Sequence, residues 1–207
     1  MNINLIHREA GALWNKHDGN NTLAINYNLD ENSKVIDLGG FHGLWADQII
    51  VKYNPNITLV EPIPEYYSYL VNKFKNNPKV SILNYGISTL NYDGELYLNG
   101  DGTSKFIETA QTIPVKFITM LELFNKIGGG QIDLIQINIE GEEYPLLESM
   151  LEDDSILNFN NIQIQYHTFI ENALERKLKI QERMLENFNK NYDYPFIFEG
   201  WSLKSKK

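Results

Sequence analysis

The residues able to do chemistry fall in a few short stretches. Residues 34–45, "KVIDLGGFHGLW", place Asp37 just ahead of Gly39 and Gly40, with Phe41, His42 and Gly43 following. Glycine loses the most conformational freedom on folding. Three of them behind an acid, after an apolar run, mark a turn whose backbone approaches something closely. A second run, "NITLVEP", ends in Glu61-Pro62, twenty-two positions after Gly39. "LNYG" ends a third at Tyr85-Gly86, "INIEG" brings Asn138 and Glu140 together, and "IQIQYH" ends in His167. Carboxylates accept several hydrogen bonds, and imidazole titrates near ~6.5. These are groups that bind hydroxyls and cations and move protons.

The glycine turn narrows the ligand. A dinucleotide fingerprint requires G-x-G-x-x-G, and the third position counted from Gly39 is Phe41. The spacing is acidic-x-Gly-x-x-x-Gly, which lacks the nest that cradles a pyrophosphate and disfavours a nicotinamide-dependent oxidoreductase. A carboxylate ending a second strand suits two ribose hydroxyls, at roughly 1.5–3 kcal/mol per hydrogen bond to a charged group. A cationic nucleoside without phosphate fits such a site, and S-adenosylmethionine is that molecule. The residues expected around it are Asp37, Gly39, Gly40, Phe41, Gly43, Glu61, Pro62, Tyr85, Gly86 and Asn138. Taken alone, Asp37 reads equally well as a turn cap and the glycines as a plain strand-to-helix corner.

The elements that must position these residues alternate. Short apolar runs at "KVIDLGG", "NITLVEP", "KVSILNYG", "DLIQINIE" and "NIQIQYH" are separated by helical stretches at "LWADQIIVKY", "PEYYSYLVNKFKNN" and "GEEYPLLESML". Strands alternating with helices imply βαβ units and a parallel sheet. In such a sheet, ligands bind at the carboxyl ends of the strands, where Asp37, Glu61, Tyr85, Asn138 and His167 all fall. Regularity breaks at 91–118, where Asp93-Gly94 and Asp101-Gly102 read as turns of a hairpin insertion. "TMLELFNKIGGG" reads as a helix capped by Thr119 and stopped by glycine. Residues 5–18 read as a helix using Leu5, Ala12 and Trp14, interrupted by Gly11. Residues 170–190 read as an amphipathic helix with a core stripe of Leu174, Leu178, Gln181, Leu185 and Phe188, followed by two short strands turning at Glu199-Gly200.

Composition sets outer bounds. The chain has 207 residues, 43% of them hydrophobic, enough for one core and short for two. No stretch approaches the ~20 apolar residues of a membrane span, and the first residues lack the pattern of a signal peptide, which points to the cytoplasm. There is no cysteine, so thiolate chemistry is excluded. A net charge of −9 argues against nucleic acid as a partner; the basic residues of "LKSKK" at the end read as a solvated terminus.

These residues resemble the FkbM family of class I S-adenosylmethionine-dependent methyltransferases. "VIDLGGFHG" and "LVEPIPEYYSYL" resemble the family's first two motifs. "LNYGIS" resembles its Asn-x-Ala-[IV]-Ser segment, with Gly86 in the alanine place. "PVKFITMLELF" resembles the stretch before the fourth strand, and "DLIQINIEGEEYPLLESM" its most specific block. "IQIQYH" and "EGWSLK" resemble its last elements, so the likeness spans about 33–204. The resemblance implies an α/β, Rossmann-like, doubly wound and mostly parallel seven-stranded sheet flanked by helices. It divides the chain into an N-terminal extension, 1–32, and a methyltransferase domain, 33–207. It also implies S-adenosylmethionine as cofactor and transfer to a hydroxyl of a sugar, glycan or small metabolite.

One departure stands out: the family's aspartate falls at Asn138. Asparagine cannot replace the charge of a base or metal ligand, so either the catalytic burden sits elsewhere or activity is altered. His167 is the first candidate for the base, helped by the family's histidine at this place, with Glu140 second. Glu140 could equally hold the methionine moiety or brace the Gly141 turn. Asn138, Glu140 and His167 form a mixed donor set that could take a divalent ion, but their irregular spacing argues against a metal site. Tyr144, Phe169 and Trp201 could wall an acceptor pocket or pack in the core. The competing function is a cofactor-binding module with little catalysis that serves as a partner subunit. The oligomeric state is not set by the sequence.

Overall fold

The structure, a computed structural model, describes residues 2–98, 104–106, 109 and 111–205. In chain order the elements are α1 (Ile3–Lys16), β1 (Lys34–Leu38), α2 (Leu44–Tyr53), β2 (Asn56–Val60), α3 (Pro64–Phe74), β3 (Val80–Leu83), β4 (Gly86–Ile87), β5 (Tyr92–Tyr97), β6 (Thr112–Ile118), α4 (Met120–Ile127), β7 (Leu134–Ile137), α5 (Glu143–Glu152), β8 (Asn161–Ile164), α6 (Ala173–Asn187), β9 (Phe188–Tyr194) and β10 (Phe198–Leu203). Strands β1, β2, β7 and β8 each carry β-branched residues and are buried along most of their length, as strands covered on both faces must be. With β3, β9 and β10 they form a seven-stranded sheet in the order β3-β2-β1-β7-β8-β10-β9. All its pairings are parallel except those of β10, which runs antiparallel to both neighbours.

Alternation along β1 splits the core between the two faces. Ile36 and Leu38 join Ile135, Ile137, Ile162 and Ile164 beneath Leu147 and Met150 of α5 and Ile180 and Met184 of α6. Val35 points the other way, packing with Leu59 and Leu134 against Ala46 and Ile49 of α2 and Leu70 and Phe74 of α3. Each such burial contributes about 1.5–3 kcal/mol. Local signals set helix ends: Pro64 opens α3, the Thr119 hydroxyl accepts the Glu122 N–H at 3.2 Å, and Gly128 ends α4 at φ 81°.

Some elements differ from the sequence-based expectation. Helix α1 runs through Gly11; of the three residues expected to pack, only Trp14 is buried, beside Ala10, while Leu5 and Ala12 are exposed. Asp93-Gly94 lies inside β5, which pairs antiparallel with β6; with β4 these two make a separate three-stranded sheet. Gly94 is there for space, since a Cβ would come within 2.7 Å of the Tyr92 ring, which stacks on Phe117 at 4.7 Å. Asp101-Gly102 lies outside the described residues. Helix α6 buries Ala173, Lys177, Ile180, Gln181 and Met184, whereas Leu178 and Leu185 are about half exposed. Lys177 goes inward because its ammonium meets Glu199 at 2.8 Å and Asp193 at 3.0 Å. Phe188 belongs to β9, and the β9–β10 turn falls at 195–197. Glu199 and Gly200 sit within β10: the carboxylate takes Lys177 and Trp201 Nε1 (2.8 Å), and a Cβ on Gly200 would strike Tyr192 at 2.3 Å.

Candidate active site

Strand β1 connects to β2 on one side while β7 flanks it on the other, so the sheet's switch point lies between β1 and β7. Their carboxyl ends are clasped together, with Asn138 N–H donating to Leu38 O at 3.0 Å. Gly39 is required here: it sits at φ 89°, and a Cβ would lie 2.0 Å from the Asn138 carbonyl oxygen. Phe41, next but one, is left-handed at φ 44° without being glycine. Its N–H donates to Glu61 Oε2 at 2.8 Å, and its ring meets Tyr66 edge-on at 4.7 Å.

A cavity of about 280 Å³ opens over these strand ends. Gly39, Phe41, Glu61, Pro62, Tyr85, Gly86, Asn138 and Glu140 line it, as do Tyr66 and Glu142, which lie within quoted motifs without having been named as site residues, and Ser104 and Lys105, which no motif had marked. Asp37, Gly40, Gly43 and His167 do not line it. Gly40 lies against Leu59 and Leu70, and Gly43 (φ 66°) against Leu70 and Phe74, so both serve the corner that starts α2. Tyr144 and Trp201 are wholly buried core residues, while Phe169 is exposed beside the His167 ring at 5.3 Å.

Glu61 shapes the floor of the cavity. Its two oxygens accept the Phe41 and Ile63 N–H groups, each at 2.8 Å, and each keeps a second lone pair. Burial pushes its pKa up, the two N–H donors pull it partly back, and it settles at about 7. Asp37 lies beneath, raised well above the usual carboxylate range by burial and by Glu61. Asp37 Oδ1 and Asn138 Oδ1, at the ends of adjacent strands, are buried acceptors without a protein partner. Such atoms cost about 1–3 kcal/mol each if left unmade. The acceptor set at the cavity therefore fits S-adenosylmethionine: lone pairs on Glu61 for ribose hydroxyls, and the orphaned Asn138 oxygen for an N–H group of an ammonium.

At the cavity wall, Glu140 is a second left-handed non-glycine, at φ 52°. Its Oε1 lies 3.2 Å from His167 Nε2, and His167 Nδ1 lies 3.0 Å from Glu143 Oε1. Burial alone would depress the imidazole pKa, but the carboxylates of Glu140 and Glu143 override it and raise it to about 9. The expected base near pH 6.5 is thus an imidazolium at neutral pH. Residues 104–106 rest on the same turn. Ser104 Oγ donates to Glu140 O at 2.9 Å, and the Lys105 ammonium sits 2.7 Å from Glu142 Oε1, an ion pair without hydrogen-bond geometry. Among the described residues no set of three His, Cys, Asp or Glu side chains is placed to hold a metal ion, and both His167 nitrogens already face carboxylates.

Strand order, antiparallel β10 and a cavity over β1, β2 and β7 define a class I methyltransferase fold. Solved structures agree in fold. The rRNA methylase from Streptococcus thermophilus superposes with TM-score 0.52 at 12% identity, over 91% of this chain and 96% of that one. SMU.1697c of Streptococcus mutans, in complex with SAH, gives 0.52 at 11%, over 85% and 91%. The 23S rRNA methyltransferase ErmE gives 0.51 at 11%, over 91% and 68%. A search of curated proteins finds no match. Residues 37–196 match the Methyltransferase FkbM domain. The chain belongs to that family, and its cofactor is S-adenosylmethionine. No described helix is long and apolar enough to cross a membrane.

Proposed function

We propose that this protein methylates a hydroxyl group of a sugar, within a glycan or a small metabolite. The observation that carries the proposal is Glu140. A carboxylate is held at the cavity wall in a backbone conformation that costs a non-glycine residue about 1–2 kcal/mol, with a cationic imidazole behind it. Strain of this kind collects at functional sites. When bound, S-adenosylmethionine would supply an activated methyl for in-line attack by the acceptor oxygen, the C–S bond breaking to leave S-adenosylhomocysteine. Glu61 would hold the ribose and Asn138 the ammonium, with Asp37 beneath them as a buried support. Glu140 would accept the hydroxyl proton as the new C–O bond forms, while the His167 charge holds the Glu140 side chain against the turn. Fixing the partners in this way can supply roughly 7–11 kcal/mol of the barrier.

The net charge of −9, and Lys105 as the sole cation among the described residues lining the cavity, support a small neutral acceptor over RNA. The test is release of S-adenosylhomocysteine across a panel of mono- and oligosaccharides. Glu140→Gln should cut kcat at least 10-fold while leaving S-adenosylhomocysteine affinity unchanged. Turnover only with amines or RNA, or undiminished turnover in the variant, refutes the proposal. The amide at Asn138 favours one second reading, a binding module, which predicts tight S-adenosylhomocysteine binding with no turnover on any acceptor.

A further inference from the structure

Glu143 has no role in the chemistry above, yet its side chain is completely buried at the start of α5. Its carboxylate takes three hydrogen bonds from two strand ends. Oε2 accepts the Gly141 N–H at 2.8 Å, on the turn after β7 that carries Glu140. Oε1 accepts the His167 N–H at 2.8 Å and faces His167 Nδ1 at 3.0 Å, just past β8. We propose that Glu143 is the positioning residue of the site, one carboxylate that ties the Glu140 turn to the His167 ring and keeps the two in register. This deepens the reading of Glu140 as proton acceptor and rests on it.

The surroundings leave this job to Glu143. Glu140 faces His167 from the other side at 3.2 Å, and Phe169 offers only a ring. Tyr144 donates its hydroxyl to the His167 carbonyl at 2.8 Å rather than to the imidazole. Arg176 of α6 lies over the Tyr144 ring at 5.1 Å and pairs with Glu148, and Lys105 is paired with Glu142. With Nδ1 directed at a carboxylate, that nitrogen must carry a proton, and Nε2 is left to address Glu140. A carboxylate that merely capped the Gly141 turn would make the first contact and neither of the other two.

The test uses Glu143→Gln, which keeps the shape and an oxygen for Gly141 but loses the charge. Nitrogen-detected NMR of the imidazoles, with His167→Asn for assignment, follows the ring without any acceptor. In the wild type both His167 nitrogens should stay protonated past pH 8. In the variant the titration midpoint should fall by at least one pH unit. Turnover should then drop at least 10-fold in kcat with S-adenosylhomocysteine affinity unchanged. An unmoved midpoint overturns the proposal, as does a wild-type ring carrying one proton at pH 7, a measurement that stands even if the variant fails to fold. A shifted midpoint with unchanged kcat also overturns it. Absence of sugar methylation with the midpoint shifted refutes the acceptor reading alone.

Discussion

Replacing Glu61 by glutamine should change how stability responds to pH as well as how the cofactor binds. The carboxyl is 4% exposed and its pKa rises from 4.5 to about 7. The folded protein therefore holds this proton more tightly than the unfolded chain does. Its contribution is fully present below about pH 4.5 and is lost as pH climbs through 7. A displacement of that size corresponds to roughly 3 kcal/mol once both states are ionised. Asp37, raised in the same direction, adds to the trend in both proteins. The wild type should thus lose about 2–3 kcal/mol more than Glu61→Gln between pH 5 and pH 8.5. Urea unfolding followed by fluorescence of the three tryptophans measures this directly. Calorimetry on the same samples should show a weaker complex with S-adenosylhomocysteine, by about 10- to 100-fold, since an acceptor bond to a charged group contributes about 1.5–3 kcal/mol. Parallel pH profiles, within about 0.5 kcal/mol, would show that Glu61 is not the desolvated carboxylate described here.

Other substitutions probe separate links. Gly39→Ala should cost about 1–2 kcal/mol for its left-handed backbone and about 1–3 kcal/mol more for crowding the Asn138 carbonyl, read as a lower urea midpoint. Lys177→Met strands the Glu199 carboxylate, which is 1% exposed, and should destabilise by about 3–5 kcal/mol; Lys177→Met with Glu199→Gln should recover part of that loss. His167 has a pKa raised to about 9, so its stabilisation is complete below pH 6.5 and fades as pH rises through 9. His167→Gln should remove that loss, seen as a flatter melting temperature between pH 7 and pH 10.

The sequence by itself determined the alternation of buried β-branched runs with helices, and with it the parallel sheet and the edge where chemistry gathers. It determined the glycine turn after β1, the acid ending β2, the proline that opens α3 and the caps of α4. These are local or periodic signals, carried by residues a few positions apart. What the tertiary structure alone decided is how side chains from distant segments pair. Lys177 lies inside because Glu199 and Asp193 arrive from β10 and β9, and that turned α6 away from its leucine stripe. Gly94 and Gly200 look like turn residues but make room for aromatic rings. His167 is an imidazolium rather than a base near neutrality because carboxylates at 140 and 143 converge on it after folding. The free energy of a buried charge depends on what lies within a few ångströms of it, and no spacing along a chain states that distance.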